Sequence, residues 1–395
     1  MSTNRISKWL FLLMLAVIGS LSCGSDDGEA PQPEQPVAAS LELSISEGYT
    51  VAGHAKPLLL SLKALDNEGN ELFNPSYTIL VNGEEKGRLS TFRSETSGSF
   101  ELKAVVGTVE SNVVLVQVRE QQVYQPKTYR IIFHIVHDGE PLGTGYNIPQ
   151  DRIAYQMELL EKVFEQSSNL TPNSALPNID FELASIDPEG NMLAEPGINR
   201  LQRPDQSASV LFEDWMWGHY WDPDYYINVW VGDTKNGYSW GIYPEFACSE
   251  PTLPQGLGCT SATDVHRLEG IALELDNLYD ENWVFPHEMG HVFGLFHIFS
   301  GSECSTDVDF CEDTRQYNRV AYENTPTAHV RTSCTGDEFI SYNVMDYWQQ
   351  LNGARDLTYD QVQRIRAVVD HGLWRGGKSL SEGTPRDMSA IRNGG

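Results

Sequence analysis

The chain has 395 residues and a formal net charge of −28. That length supplies core for two domains, and the acidic balance excludes nucleic acid as a partner, because phosphate binding needs a basic face. Acidity of this kind serves solubility, and it also suits calcium or basic substrates.

Arg5 and Lys8 precede the apolar run WLFLLMLAVIG, too short to span a bilayer and suited to the core of a signal peptide over residues 1–22. The run ends at LSCGSDD, where Cys23 follows small residues as in a bacterial lipoprotein box, whose cysteine becomes the lipidated first residue of the mature chain. A plain cleaved signal with an incidental cysteine is the alternative. The acidic GSDDGE that follows resembles signals that send lipoproteins to the outer face of some Gram-negative cells. The expectation is an exported lipoprotein of the outer membrane, exposed at the cell surface (or, alternatively, on the periplasmic face). Its membrane contact runs through lipidated Cys23. Residues 23–37, Pro-rich and polar, read as a flexible tether.

From 38 to 122 the pattern has period two, in SLELSIS, SYTILVNG, SFELKAVV and NVVLVQV, with turns at DNEGN and Asn82-Gly83. Short strands at this spacing predict an all-β, immunoglobulin-like sandwich. It holds no ligand constellation, so a spacer is favoured over an adhesin. After Gln125-Pro126 the composition shifts. YRIIFHIVHDG reads as a core strand, and PQDRIAYQMELLEKVFEQ as an amphipathic helix with Ile153, Met157, Leu160 and Phe164 on one face. FELASIDPEG, YYINVWVGD, YSWGIYPEF and GIALELD read as further strands. A helix follows at about 282–294, and a last one begins near Thr358, where TYDQ matches a capping box and Val362, Ile365 and Val369 mark the buried face. Residues 127–375 thus form an α/β domain, and 376–395 a loose tail.

The chemistry concentrates in HEMGHVFGLFH. His287 and His291, four apart on a helix, project from one face and can bind one metal. Glu288 is rotated beside them, placed to act on water and not to ligate. Gly294 can end the helix in a left-handed conformation and bring His297 back as third ligand. Three neutral nitrogens leave a fourth tetrahedral position open, the mark of a catalytic zinc site. The expected reaction is peptide hydrolysis by zinc-activated water with Glu288 as general base. With ten histidines in 395 residues, a chance match to the extended pattern is on the order of one in ten thousand, so a helix of merely buried histidines is the weaker reading.

HEMGHVFGLFH resembles the metzincin pattern HExxHxxGxxH, and SYNVMDYW resembles the metzincin Met-turn. The form NxMDY followed by LTYDQVQRIR is most similar to the pappalysin-type metzincins, the cytophagalysins among them, over residues 127 to about 375. The resemblance implies a multidomain chain in which the sandwich precedes a catalytic domain with a mixed twisted sheet, an active-site helix and a Met-turn. It implies His287, His291 and His297 as zinc ligands, Glu288 as the base and Met345 as the Met-turn residue beneath them. Tyr347 would hydrogen-bond the tetrahedral intermediate.

Weaker signals surround this site. Asp307, Asp309, Glu312 and Asp313 in CSTDVDFCEDT offer hard oxygen ligands that suit calcium, with a solvated acidic loop as the alternative. YENTP stands where the family tends to have a DTP element. His134 and His137 fall on opposite faces of a strand, so they are core or edge histidines and not a metal pair. WGIYPEF can be the edge strand that aligns substrate, or an ordinary strand. Five cysteines follow Cys23, an odd number: Cys248 can pair with Cys259, and Cys304 or Cys311 with Cys334. None lies between Cys23 and Cys248, which excludes an N-terminal thiol switch on the zinc. The expected partners are protein or peptide substrates, with a basic residue after the cleaved bond as the hypothesis of preference. The competing class is an inactive metalloprotease-like binding or adhesion lipoprotein; Glu288, the residue such decay tends to remove, is present.

Overall fold

A computed structural model describes residues 37–166, 170–203, 213–235, 237–278, 283–301, 304, 308–322, 330–347, 355–374 and 376–391. The signal segment, Cys23, residues 24–36, Asp307 and residues 323–326 of YENTP lie outside the described residues. Among the described residues no helix is long and apolar enough to cross a membrane.

Residues 40–119 form two sheets. Ser40–Ile45, Leu58–Leu65 and Thr91–Phe92 make a three-stranded sheet. Tyr49–Val51, Val114–Arg119, Gly98–Val106, Thr78–Val81 and Glu84–Glu85 line up in the second, with Val109–Glu110 added to its side. Inward residues of both, including Leu43, Leu58, Ile79, Phe92, Leu102 and Val116, share one core. Alternation along each strand turns these apolar side chains inward and the polar ones to water.

The main sheet of the following region is mixed. Its centre is Lys127–His137, an eleven-residue strand buried from Ile131 to Val136. Three strands pair with it in parallel: Ile179–Leu183 and Ile198–Gln202 follow one another along one side, and Ile227–Gly232 runs along the other. Ile271–Glu274 continues the sheet in parallel, and Trp240–Gly241 closes it as an antiparallel edge. Burial on both faces explains the near-continuous apolar runs of the central strands. On one face the helices Gln150–Phe164, Val284–Val292 and Tyr359–His371 pack through Ile153, Leu160, Phe285, Met289 and Ile365. Trp217, Tyr220, Trp230 and Trp374 cover part of the other.

Several expectations are sharpened. Gln150–Phe164 and Tyr359–His371 are helical, and Thr358 and Gln361 form the full capping box. YSWGIYPEF is broken: Trp240–Gly241 joins the main sheet, whereas Glu245–Ala247 pairs with Gly258–Thr260 in a ribbon stapled by Cys248–Cys259. Pro244 stands at the break, where a missing N–H ends a ladder. Cys304 pairs with Cys334, and Cys311 is free and buried. Residues 376–391 correct the expectation of a loose tail: Arg386 donates to buried Asp222 at 2.8 and 2.9 Å, and Met388 is buried against the tryptophan cluster. His134 is a core histidine, stacked on Trp230 and 2.8 Å from Asn228 Oδ1.

Candidate metal centre

The helix Val284–Val292 is buried at every residue from Phe285 to Val292. His287 and His291 lie one turn apart on it, facing the same way. The helix stops at Gly294, whose φ of +83° is left-handed. The Leu295 amide there reaches back to the Gly290 carbonyl at 2.9 Å, and the Gly294 amide donates to the His291 carbonyl at 2.9 Å. A side chain at Gly294 would also press to 2.9 Å on both Leu257 Cδ1 and Val368 Cγ2. Arg364 clamps the turn from the last helix, donating through Nη2 to the carbonyls of Gly294 and Gln255, each at 3.1 Å. Reversed in this way, the chain carries His297 back over the helix.

The result is a convergence of three nitrogens. His297 Nε2 lies 3.1 Å from Nε2 of His287 and 3.1 Å from Nε2 of His291. The far nitrogens of the two helix histidines are committed: His287 Nδ1 donates to the Val344 carbonyl at 2.8 Å, and His291 Nδ1 donates to the Leu295 carbonyl at 2.8 Å. A carbonyl can only accept, so both rings carry their proton on Nδ1 and turn an Nε2 lone pair inward. Burial, ahead of all other causes, lowers His287 to about 3 and His291 to about 4, and it depresses His297 as well, so the rings are neutral. Bonds of ~2.0–2.1 Å at tetrahedral angles set the nitrogens around a zinc ion roughly 3.3 Å apart. The donor set therefore fits that ion in type, tautomer and spacing. Among the described residues it is the one group of His, Cys, Asp and Glu with ligand atoms converging in this way.

Glu288 lies beside the triad and is 6% exposed. Burial raises its carboxyl to about 7, against the pull of a hydrogen bond from the Gly241 backbone N–H. A carboxyl poised there can take and release a proton at neutral pH.

The segment Asn343–Tyr347 supplies the floor. Asn343 Oδ1 accepts the Met345 amide at 2.9 Å, and its side chain exchanges hydrogen bonds of 2.8 and 3.0 Å with Gln361, the capping residue of the last helix. Asp346 is fixed by Tyr317, whose hydroxyl donates to it at 2.6 Å. Met345 is fully buried, its sulfur packed against Gly290 of the histidine helix. A Cβ added at Gly290 would overlap its sulfur, so the glycine inside the histidine motif is what lets the turn come this close. Tyr347 is half exposed at the rim, its ring centroid 4.5 Å from that of His297 and 5.6 Å from that of His287, with the Arg319 guanidinium 4.4 Å over its ring. Tyr243 meets His291 edge-on at 5.1 Å.

Every described member of the expected site thus assembles here: His287, His291, His297, Glu288, Met345 and Tyr347. Among the described residues, Asp309, Glu312 and Asp313 do not converge. Asp309 accepts from Thr314 at 2.6 Å, Glu312 meets Arg119 at 3.1 Å, and Asp313 accepts the Asp360 amide at 3.1 Å. Sequence reasoning missed Gly241, Gly290, Tyr243, Arg319 and Arg364. Only Gly290 carried a local signal, since glycine within a buried helix costs about 1 kcal/mol relative to alanine and needs a packing reason.

Residues 211–370 match the peptidase family M43 described as pregnancy-associated plasma protein-A. Over this region the chain is similar to the pappalysin-type metallopeptidases. An extracellular metalloprotease of Neurospora crassa is 29% identical over 219 residues, which cover 55% of this chain and 66% of the relative. The chain therefore spans just under two thirds of that relative's length. Among solved structures, mature mirolysin of Tannerella forsythia in complex with a cleaved peptide is 20% identical, covering 69% of this chain and 98% of that one, with a TM-score of 0.45. Tannerella forsythia promirolysin is 20% identical, covering 68% and 85%, with a TM-score of 0.47.

Proposed function

We propose that the chain is a zinc-dependent endopeptidase of extracellular proteins, in which His287, His291 and His297 hold the ion and Glu288 is the general base. One observation carries the reading: three neutral imidazoles turn toward one another beside a buried carboxyl poised near pH 7. A zinc ion held by His287, His291 and His297 would supply Lewis acidity to a carbonyl and to water beside Glu288. Glu288 takes the proton of the attacking water at its carboxylate and delivers it to the departing amine. Tyr347 keeps its hydroxyl protonated, since burial raises its pKa, and from the rim it donates a hydrogen bond to the developing oxyanion. Met345 holds the floor against which the histidines are oriented. The outward carbonyl of Gly241, at the edge of the sheet, offers a backbone acceptor to an extended substrate.

In this reading residues 1–22 export the chain and Cys23 anchors it by lipid. Residues 38–122 are an immunoglobulin-like spacer, which the two sheets around one core support, and residues 127–375 are the catalytic domain. The fungal relative, extracellular by name, supports export. The test compares the purified mature chain with Glu288→Ala on a mixed protein substrate, with zinc measured in both. The expected result is cleavage by the wild type alone with zinc bound in both. If zinc-loaded wild type cuts no more than Glu288→Ala does, a binding lipoprotein becomes the better reading.

A further inference from the structure

The edge strand and the active-site helix approach each other more closely than two side chains would allow. Trp240 and Gly241 pair with Ala272 and Ile271, and the Ile242 amide donates to the Gly270 carbonyl at 2.9 Å. In an antiparallel ladder donors alternate in direction, so the amides of residues 240 and 242 face the sheet and that of Gly241 faces away from it. It faces the Glu288 carboxylate, to which it donates. A Cβ built on Gly241 would overlap the Glu288 carbonyl oxygen and sit 3.2 Å from His291 Cβ. Both obstacles belong to the body of the helix and not to the tip of a mobile side chain. Gly241 is also absent from the residues with positive φ. Its backbone conformation suits any residue, and the demand for glycine comes from the helix alone.

We infer that Gly241 is a positioning residue for the general base: its missing side chain lets the edge strand close on the active-site helix, and its amide then holds the Glu288 carboxylate in place. The inference rests on the peptidase reading for its kinetic consequence, but not for the contact itself. A base held by one backbone donor has one resting orientation, and a base released from it is free to swing. A displacement of about 1 Å at a catalytic group can cost on the order of 10²-fold in rate.

Two measurements on the full mature chain test it. The first is residue-resolved hydrogen exchange, which reads the contact without any activity. The Gly241 amide, outside the ladder, should exchange at least about tenfold faster in Glu288→Ala than in the wild type, while the Ile242 amide keeps its rate. Equal Gly241 rates in the two proteins would overturn the inference. The second is Gly241→Ala, with zinc content, KM and kcat measured on one peptide. The expected outcome is one zinc per chain, KM within a few-fold of wild type and kcat lower by about 10²-fold. A kcat equal to wild type, or a loss confined to KM, would sink the positioning role. A wild type that cleaves nothing would instead defeat the peptidase reading, while the exchange result stands by itself.

Discussion

The active-site helix and the seam between the N-terminal sheets and the rest of the chain both rely on polar groups, in opposite surroundings. Along Val284–Val292 the contacts are dry. The Met-turn reaches the helix at Gly290, the edge strand at Gly241, and the histidines are oriented by two carbonyls. At the seam, charges meet in partly wetted places. Arg119 lies 3.1 Å from Glu312 and 3.4 Å from Asp360, and Arg315 lies 3.1 Å from Glu47. His54 Nε2 donates to the Ser174 carbonyl at 3.1 Å. Water can replace a lost partner at the seam and cannot do so under the helix. The difference predicts that dryness, and not the number of polar contacts, sets the cost of a change.

Asp313 puts that rule under the heaviest load, because it lies next to the seam and is nevertheless buried. Burial first, and the neighbouring Asp360 carboxylate second, raise its carboxyl to about 7. The unfolded value is about 4, so the folded chain binds this proton more tightly. The stabilisation is therefore complete below about pH 4 and is lost as pH rises through about 7. Asp313→Asn removes the titration and keeps an acceptor for the Asp360 amide. It should raise stability at pH 8 relative to wild type by on the order of 2–4 kcal/mol, with little difference at pH 4. Urea unfolding of both proteins at a series of pH values reads the difference and cancels the shared metal contribution. Parallel curves would mean that the seam is wetter at Asp313 than its burial implies.

The next effect belongs to the helix. Gly290→Ala should help the helix by about 1 kcal/mol on intrinsic preference. It also places a methyl group onto the sulfur of fully buried Met345. Overpacking of that kind costs about 1–3 kcal/mol. The overlap wins, and the expected net loss is about 1 kcal/mol, together with weaker zinc binding as the Met-turn carrying the Val344 carbonyl is pushed from His287. Thermal unfolding and a competitive zinc titration check both parts. A stabilised protein with unchanged zinc affinity would show that the turn can retreat at no cost.

These cases also mark how far the amino-acid sequence is legible. Period two announced the N-terminal strands, because each side chain there answers only to inside or outside. The extended histidine motif announced the three converging histidines, and TYDQ the start of the last helix, because a fixed local geometry ties spacing to position. Gly241 and the Asp313–Asp360 pair were not announced. Gly241 faces a residue far along the chain with an ordinary φ, and Asp313 meets Asp360 across a similar length of chain. Nothing within a turn of either residue differs from a plain loop or strand. Pro244, which breaks YSWGIYPEF, was visible, but the tie between Arg386 and Asp222 was not, so the tail was misread as loose.

The smallest effect is the one that decides what the N-terminal sheets do. Arg119 makes two ion pairs, stacks over Tyr49 at 5.0 Å, and looks like a principal fastener of the seam. Its side chain is 30% exposed, however, and Glu312 opposite is 71% exposed. Pairs of this kind contribute about 0–1 kcal/mol, because solvent screens them and holding long side chains costs entropy. Arg119→Ala should therefore lower stability by less than about 1 kcal/mol and leave kcat, KM and zinc content as they are. That outcome suits a spacer resting on its neighbour. A fall in kcat or in zinc affinity would mean that the seam holds the catalytic half in shape, with Asp360 at the first turn of the last helix as the route, since Gln361 beside it is bonded to Asn343 of the Met-turn.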